Sequence, residues 1–223
     1  MKLAVFCSGR GSNLKALLMA RDNGLLPGAE FQVVVTDNKG AGAMSIARDH
    51  GVMAVVVPRS AFHENRDGFE RRLVEVLEPY GVELVVLAGF QRVLGATFLG
   101  AFPNRVVNIH PALLPAFPGH MVWKAEVDYG VRLAGATVHF VDGGVDSGPI
   151  IIQGAVPALS GDGPDELAQR ILSVEHRILP QAVAWLAQGR VVLDGRKVSI
   201  SGLRPSEEDV LQSIVWPPLE IGK

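Results

Sequence analysis

Residues 3–7, 31–36, 54–57, 83–88 and 105–109 are short, nearly uniform apolar runs, and longer amphipathic stretches stand between most of them. A strand that is apolar at every position must be covered on both faces, which points to a parallel sheet sandwiched between helices. The intervening helices are predicted over 12–22, ending near Gly24, over 42–50, ending at Gly51, and over 63–79. In the last of these, Phe69, Leu73, Val76 and Leu77 fall on one face.

After His110 the pattern changes. A Pro- and Gly-rich loop over 111–119 leads to a short predicted helix at 122–129. Strand-like segments follow at 136–141 and 150–156, too close together for a crossover helix, so they are expected to pair antiparallel. A long helix is predicted over 164–188, with Pro164 at its start and Gly189 just past its end. The expected architecture is an α/β, Rossmann-like open sheet in one domain, mostly parallel with antiparallel additions in the C-terminal half and helices on both faces. The domain is expected over 1–200, and the tail 201–223 shows no period from which to assign structure.

The formal charge of −2, with no Lys/Arg run, argues against a nucleic-acid partner, because neutralising a line of phosphates takes clustered cations. The single cysteine, Cys7, excludes an internal disulfide, and the six histidines show no HExxH or Cys/His zinc spacing. No apolar run reaches membrane-spanning length and no secretory signal is recognisable. A cytoplasmic protein acting on small molecules, as a monomer or homodimer, with no membrane partner, is expected.

Two loops carry chemistry. Ser8-Gly9-Arg10-Gly11-Ser12-Asn13-Leu14 follows the first strand and opens the first helix. Glycines let the backbone approach an anion, and free amides plus the helix dipole favour one there. Ser12 or Asn13 is expected to cap the helix and to donate to a phosphate. Leu14 stands where a dinucleotide fingerprint needs a third glycine, and no Gly-Lys-Ser/Thr follows. The loop therefore suits one phosphate rather than NAD or ATP.

The second is Asn108-Ile109-His110-Pro111, where an apolar strand turns polar at its end. Residues two apart share a face, so Asn108 and His110 project together, beyond the carboxyl ends of the strands where open α/β sheets bind ligands. An amide donor beside an imidazole suits chemistry that develops an oxyanion. A carboxylate raising the histidine pKa is expected from the glycine-laden loop 141–149, where Asp142 and Asp146 are both eligible. His139, in mid-strand, reads as a satisfied core histidine, and Cys7 as a small core hydrophobe.

Taken together, Gly11-Ser12-Asn13-Leu14, Leu87-Ala88-Gly89-Phe90-Gln91-Arg92-Val93-Leu94, Asn108-Ile109-His110-Pro111 and residues 135–153 around His139 and Asp146 resemble the folate-dependent formyltransferases, in their glycinamide ribonucleotide branch. The resemblance runs from residue 1 to about 190, including Glu175-His176, and implies the formyltransferase fold. It implies transfer of a formyl group from 10-formyltetrahydrofolate as co-substrate to the amine of glycinamide ribonucleotide, with no metal, NAD or ATP. It implies Asn108, His110 and Asp146 as the catalytic trio, with Asp146 keeping His110 charged near neutral pH. It also implies Gly11, Ser12, Asn13, Gly89, Pro111 and Glu175 as ribonucleotide contacts. Arg66, Gln91, Arg92, Val93, Leu94 and Asn108 would serve the folate. The chain departs from many relatives at Met121, where a histidine is usual, and at Arg10, an added cation beside the phosphate loop. A deformylase using water as acceptor, and a non-catalytic nucleotide-binding module, are the alternatives.

Overall fold

A computed structural model describes residues 1–204; the tail assigned no structure above lies, beyond its first four residues, outside them. The elements run in the order β1 (Lys2–Phe6), α1 (Ser12–Asp22), β2 (Glu30–Thr36), α2 (Ala43–Asp49), β3 (Met53–Val56), α3 (Arg66–Leu77), β4 (Leu84–Leu87) and α4 (Ala96–Ala101). Then come β5 (Val106–His110), α5 (Val122–Tyr129), β6 (Leu133–Phe140), β7 (Ile150–Pro157), α6 (Pro164–Ala187), β8 (Val191–Asp194) and β9 (Lys197–Ile200).

Seven strands form one sheet in the order β3-β2-β1-β4-β5-β6-β7. The first four pairings are parallel, and β5–β6 and β6–β7 are antiparallel, as the spacing of the apolar runs implies. Along β1, Leu3, Val5 and Cys7 face one core layer while Ala4 and Phe6 face the other. The first layer takes the apolar faces of α1, α2 and α6, and the second takes α3 and α4. Both faces of the parallel strands are thus dry, which is why they read as continuous apolar runs.

Helix α3 starts at Arg66 rather than at residue 63, because the Asn65 side chain caps it by accepting from the Gly68 N–H at 2.8 Å. A short 3₁₀ turn at Glu78–Tyr80 carries the helix past the end of the predicted span, and a second, at Arg59–Phe62, precedes it. Two elements were not anticipated. Helix α4 is six residues long and interrupted by Gly100, too short to show a period. The hairpin β8–β9 turns on Gly195-Arg196 between alternating apolar residues, and Asp194-Gly195 is a hairpin signal that the residues do carry.

The chain reverses its lateral direction between β1 and β4, so the loops leaving these two neighbours diverge and open a crevice. The loops after β1, β4 and β5 all end at that crevice. The Ser8 N–H donates to the Gly89 carbonyl at 3.1 Å and the Gln91 N–H to Ser8 Oγ at 3.0 Å, tying the first two loops together.

Candidate active site

A cavity of about 760 Å³ lies over these strand ends. Its lining includes every implied catalytic and ribonucleotide residue: Asn108, His110 and Asp146 with Gly11, Ser12, Asn13, Gly89, Pro111 and Glu175. Gln91, Arg92, Val93 and Leu94 line it as well. Arg66 does not. It stands behind the wall, donating to Glu70 at 2.8 Å and to the Val93 carbonyl at 3.1 Å. Buried Glu70 also accepts from the Gly95 and Phe98 N–H groups, so this carboxylate anchors the segment that carries Val93 and Leu94.

At the first loop the N-cap of α1 is Gly11, with φ 79°, and no side chain caps the helix. The expected capping by Ser12 or Asn13 is therefore corrected: both lie inside the helix, and its first amides stay open to the cavity. Gly11 is required there, since a Cβ would sit 3.0 Å from Ile46 Cδ1 in a left-handed conformation. Asn13 is committed elsewhere. Its Nδ2 donates to Glu175 Oε2 at 2.7 Å, while its buried Oδ1 has no partner among the described residues. Burial pushes the Glu175 pKa up, and the Asn13 hydrogen bond only partly opposes this.

At the second loop Asn108 and His110 do share a face. His110 is 4% exposed; its Nδ1 lies 3.3 Å from Asp146 Oδ2, and its Nε2 donates to the Phe117 carbonyl at 2.8 Å. Asp146 takes the carboxylate role in this geometry, whereas Asp142 binds Ser147 and Gly144 in its own loop. Asp146 has φ 48°, a left-handed conformation that costs a residue with a Cβ about 1–2 kcal/mol. Its Oδ2 also accepts from the Gly119 N–H at 2.8 Å, and Asn108 Nδ2 donates to its Oδ1 at 3.4 Å.

His139 is a neighbour that sequence reasoning missed. Its Nδ1 donates to the Phe140 carbonyl at 2.8 Å, which turns Nε2 toward the site, 3.6 Å from Asp146 Oδ1 and 3.4 Å from Asn108 Nδ2. Its pairing with Asn108 across β5–β6 put it there, a register that a single strand does not reveal. Burial alone would raise the Asp146 pKa, but the His139 ring, the Gly119 amide and His110 outweigh it and the carboxyl stays ionised.

One expectation is overturned. Burial lowers the His110 pKa below its ordinary value, and the Phe117 carbonyl and Asp146, which pull the other way, do not offset it.

The protein-family model described as formyl transferase matches residues 1–183. The chain belongs to the formyl transferase family. This family member is 42% identical over 205 residues to phosphoribosylglycinamide formyltransferase of Mycobacterium tuberculosis, covering 89% of this chain and 94% of that protein. It is also 41% identical over 193 residues to the trifunctional purine biosynthetic protein adenosine-3 of Drosophila melanogaster, covering 86% of this chain but spanning only 14% of that longer protein. The crystal structure of glycinamide ribonucleotide transformylase 1 from Symbiobacterium toebii superposes with a TM-score of 0.87 at 46% identity, covering 90% of this chain and 93% of that one. Among the described residues of this formyl transferase family member, no helix is long and apolar enough to cross a membrane, and no group of three or more His, Cys, Asp or Glu side chains is placed to hold a metal.

Proposed function

We propose that the chain transfers the formyl group of 10-formyltetrahydrofolate to the amine of glycinamide ribonucleotide, giving N-formylglycinamide ribonucleotide and tetrahydrofolate in purine synthesis. The observation that carries this is the convergence of Asn108, His110 and Asp146 with the uncapped start of α1 in one cavity. The names of relatives matched over nearly their whole length support the ribonucleotide as acceptor, and the resemblance of the motifs supports the folate as donor.

The ribonucleotide phosphate lies against the open amides of Gly11, Ser12 and Asn13, with Gly89 and Pro111 beside it. Glu175 receives the amine end, and its raised pKa suits it to sharing the amine proton. The folate occupies the stretch lined by Gln91, Arg92, Val93 and Leu94, with Arg66 holding that wall from behind and Asn108 at its reactive end. The amine nitrogen bonds to the formyl carbon, and the oxygen becomes an oxyanion held by the Asn108 amide and the His110 ring. Breaking the carbon–N10 bond then releases tetrahydrofolate, as N10 takes up a proton and the amine loses one. No atom or electron in this balance calls for a metal, a nicotinamide or ATP.

The Phe117 carbonyl now occupies the hydrogen-bonding direction of His110 Nε2, so it yields that place to the formyl oxygen. The developing oxyanion, together with Asp146, favours the imidazolium that burial disfavours in the free protein. The domain that performs this comprises residues 1–200.

The test is tetrahydrofolate release from 10-formyltetrahydrofolate, with and without glycinamide ribonucleotide. Release that depends on the ribonucleotide is the expected result. Equal release in its absence means a hydrolase on the same residues and overturns the assignment.

A further inference from the structure

The hairpin β8–β9 has no part in the site described so far, yet it reaches the loop that carries Asp146. Val191, Leu193, Val198 and Ile200 pack its inner face against the larger core layer, and β9 lies against β7. With Asp194 paired to Lys197, this packing delivers the two-residue turn, Gly195-Arg196, to residues 141–149. There Arg196 Nη2 donates to the Ser147 carbonyl at 2.8 Å. The same Ser147 ties inward, its hydroxyl donating to Asp142 Oδ1 at 2.6 Å, and Asp142 Oδ1 accepts from the Gly144 N–H at 3.0 Å.

Asp146 sits between the residues so tied, in its left-handed conformation. A strained residue keeps such a conformation only where its surroundings over-determine it. Gly119 holds the carboxylate end, and the backbone end needs a hold of its own.

We infer that Arg196 is a positioning residue: by fixing the Ser147 carbonyl it keeps the Asp146 carboxylate turned toward His110 and His139. A guanidinium suits the task because its charge strengthens a bond to a carbonyl and its length spans from the hairpin tip to the loop. The inference rests on the reading of Asp146 as the partner of His110.

The experiment uses the full 223-residue chain with Arg196→Ala and Arg196→Lys, and two readouts. One is kcat for formyl transfer as a function of pH, with KM for the ribonucleotide. The other is the NMR titration of the His110 ring, which needs no turnover. In Arg196→Ala, kcat falls roughly 3- to 10-fold, as losing one such hydrogen bond implies. The ribonucleotide KM holds, and the His110 ionisation moves to lower pH as the carboxylate drifts away. Arg196→Lys, which keeps the charge and a donor on a shorter stem, falls between the Ala variant and wild type in both. Wild-type kcat, pH profile and His110 titration in Arg196→Ala, or a Lys variant as impaired as the Ala one, overturns the role. Should the wild-type chain transfer no formyl group, the functional reading fails, and the His110 titration alone decides the role of Arg196: a downward shift supports it, an unchanged titration overturns it.

Discussion

At the scale of single residues the proposed mechanism depends on donors aimed at one oxygen. Replacing Asn108 or His110 by Ala is expected to lower kcat on the order of 10²–10³-fold, the usual consequence of losing an oxyanion donor. Asp146→Asn tests the electrostatics. Its carboxylate opposes the lowering of the His110 pKa by burial, so removing the charge drops that pKa further. Activity that needs a protonated His110 then loses its alkaline limb at lower pH than in wild type; a profile unmoved by the substitution would contradict the pairing. Much of this was legible in the residues, since Asn108 and His110 two apart at a strand end must share a face. The choice between Asp142 and Asp146 was not, because a flexible glycine loop does not announce which carboxylate turns inward. Nor was His139, whose mid-strand position looks like core until its cross-strand neighbour is known.

At the scale of elements, the proposed phosphate cradle is a property of how α1 begins. Its open amides exist because a left-handed glycine, and not a capping side chain, starts the helix. Gly11→Ala places a Cβ in that conformation and against Ile46, at a cost of about 1–2 kcal/mol. A distorted helix start weakens its hold on a phosphate, and the ribonucleotide KM is expected to rise, roughly tenfold for about 1.4 kcal/mol of phosphate binding lost. The folate KM serves as the control and is expected to stay within about twofold. Strands and long helices were readable because their patterns are strong: β1 to β5 by uniform apolarity, α6 by Pro164 and Gly189. The short α4 and the C-terminal hairpin escaped notice for opposite reasons. The former has too few residues for a period, and the latter is built of two four-residue strands, too short for an alternation to stand out.

At the scale of the whole molecule, the sheet turns antiparallel beside the cavity, and β5, bordered by parallel β4 and antiparallel β6, carries the proposed catalytic pair. The fold class was legible because two dry faces leave a plain mark on composition; how the loops close over the site was not, since it depends on contacts far apart in sequence. Global stability carries its own prediction through Glu126, which is 1% exposed on α5 with Oε2 unpartnered among the described residues. Burial raises its pKa from 4.5 to about 7. An acid bound more tightly to its proton in the fold stabilises fully below its unfolded pKa, and that contribution is lost as pH rises through the window from 4.5 to 7. Glu126→Gln is therefore expected to gain on wild type by roughly 3 kcal/mol between pH 4.5 and 8 in denaturant unfolding; a constant difference across that range would show the carboxyl to be solvated. The central claim, that this cavity joins a folate formyl group to a ribonucleotide amine, is tested most directly by the fate of a ¹³C label in the formyl group. With glycinamide ribonucleotide present, the label appears as the formamide carbon of the ribonucleotide in step with tetrahydrofolate. Label recovered as formate, or left on the folate, contradicts the account.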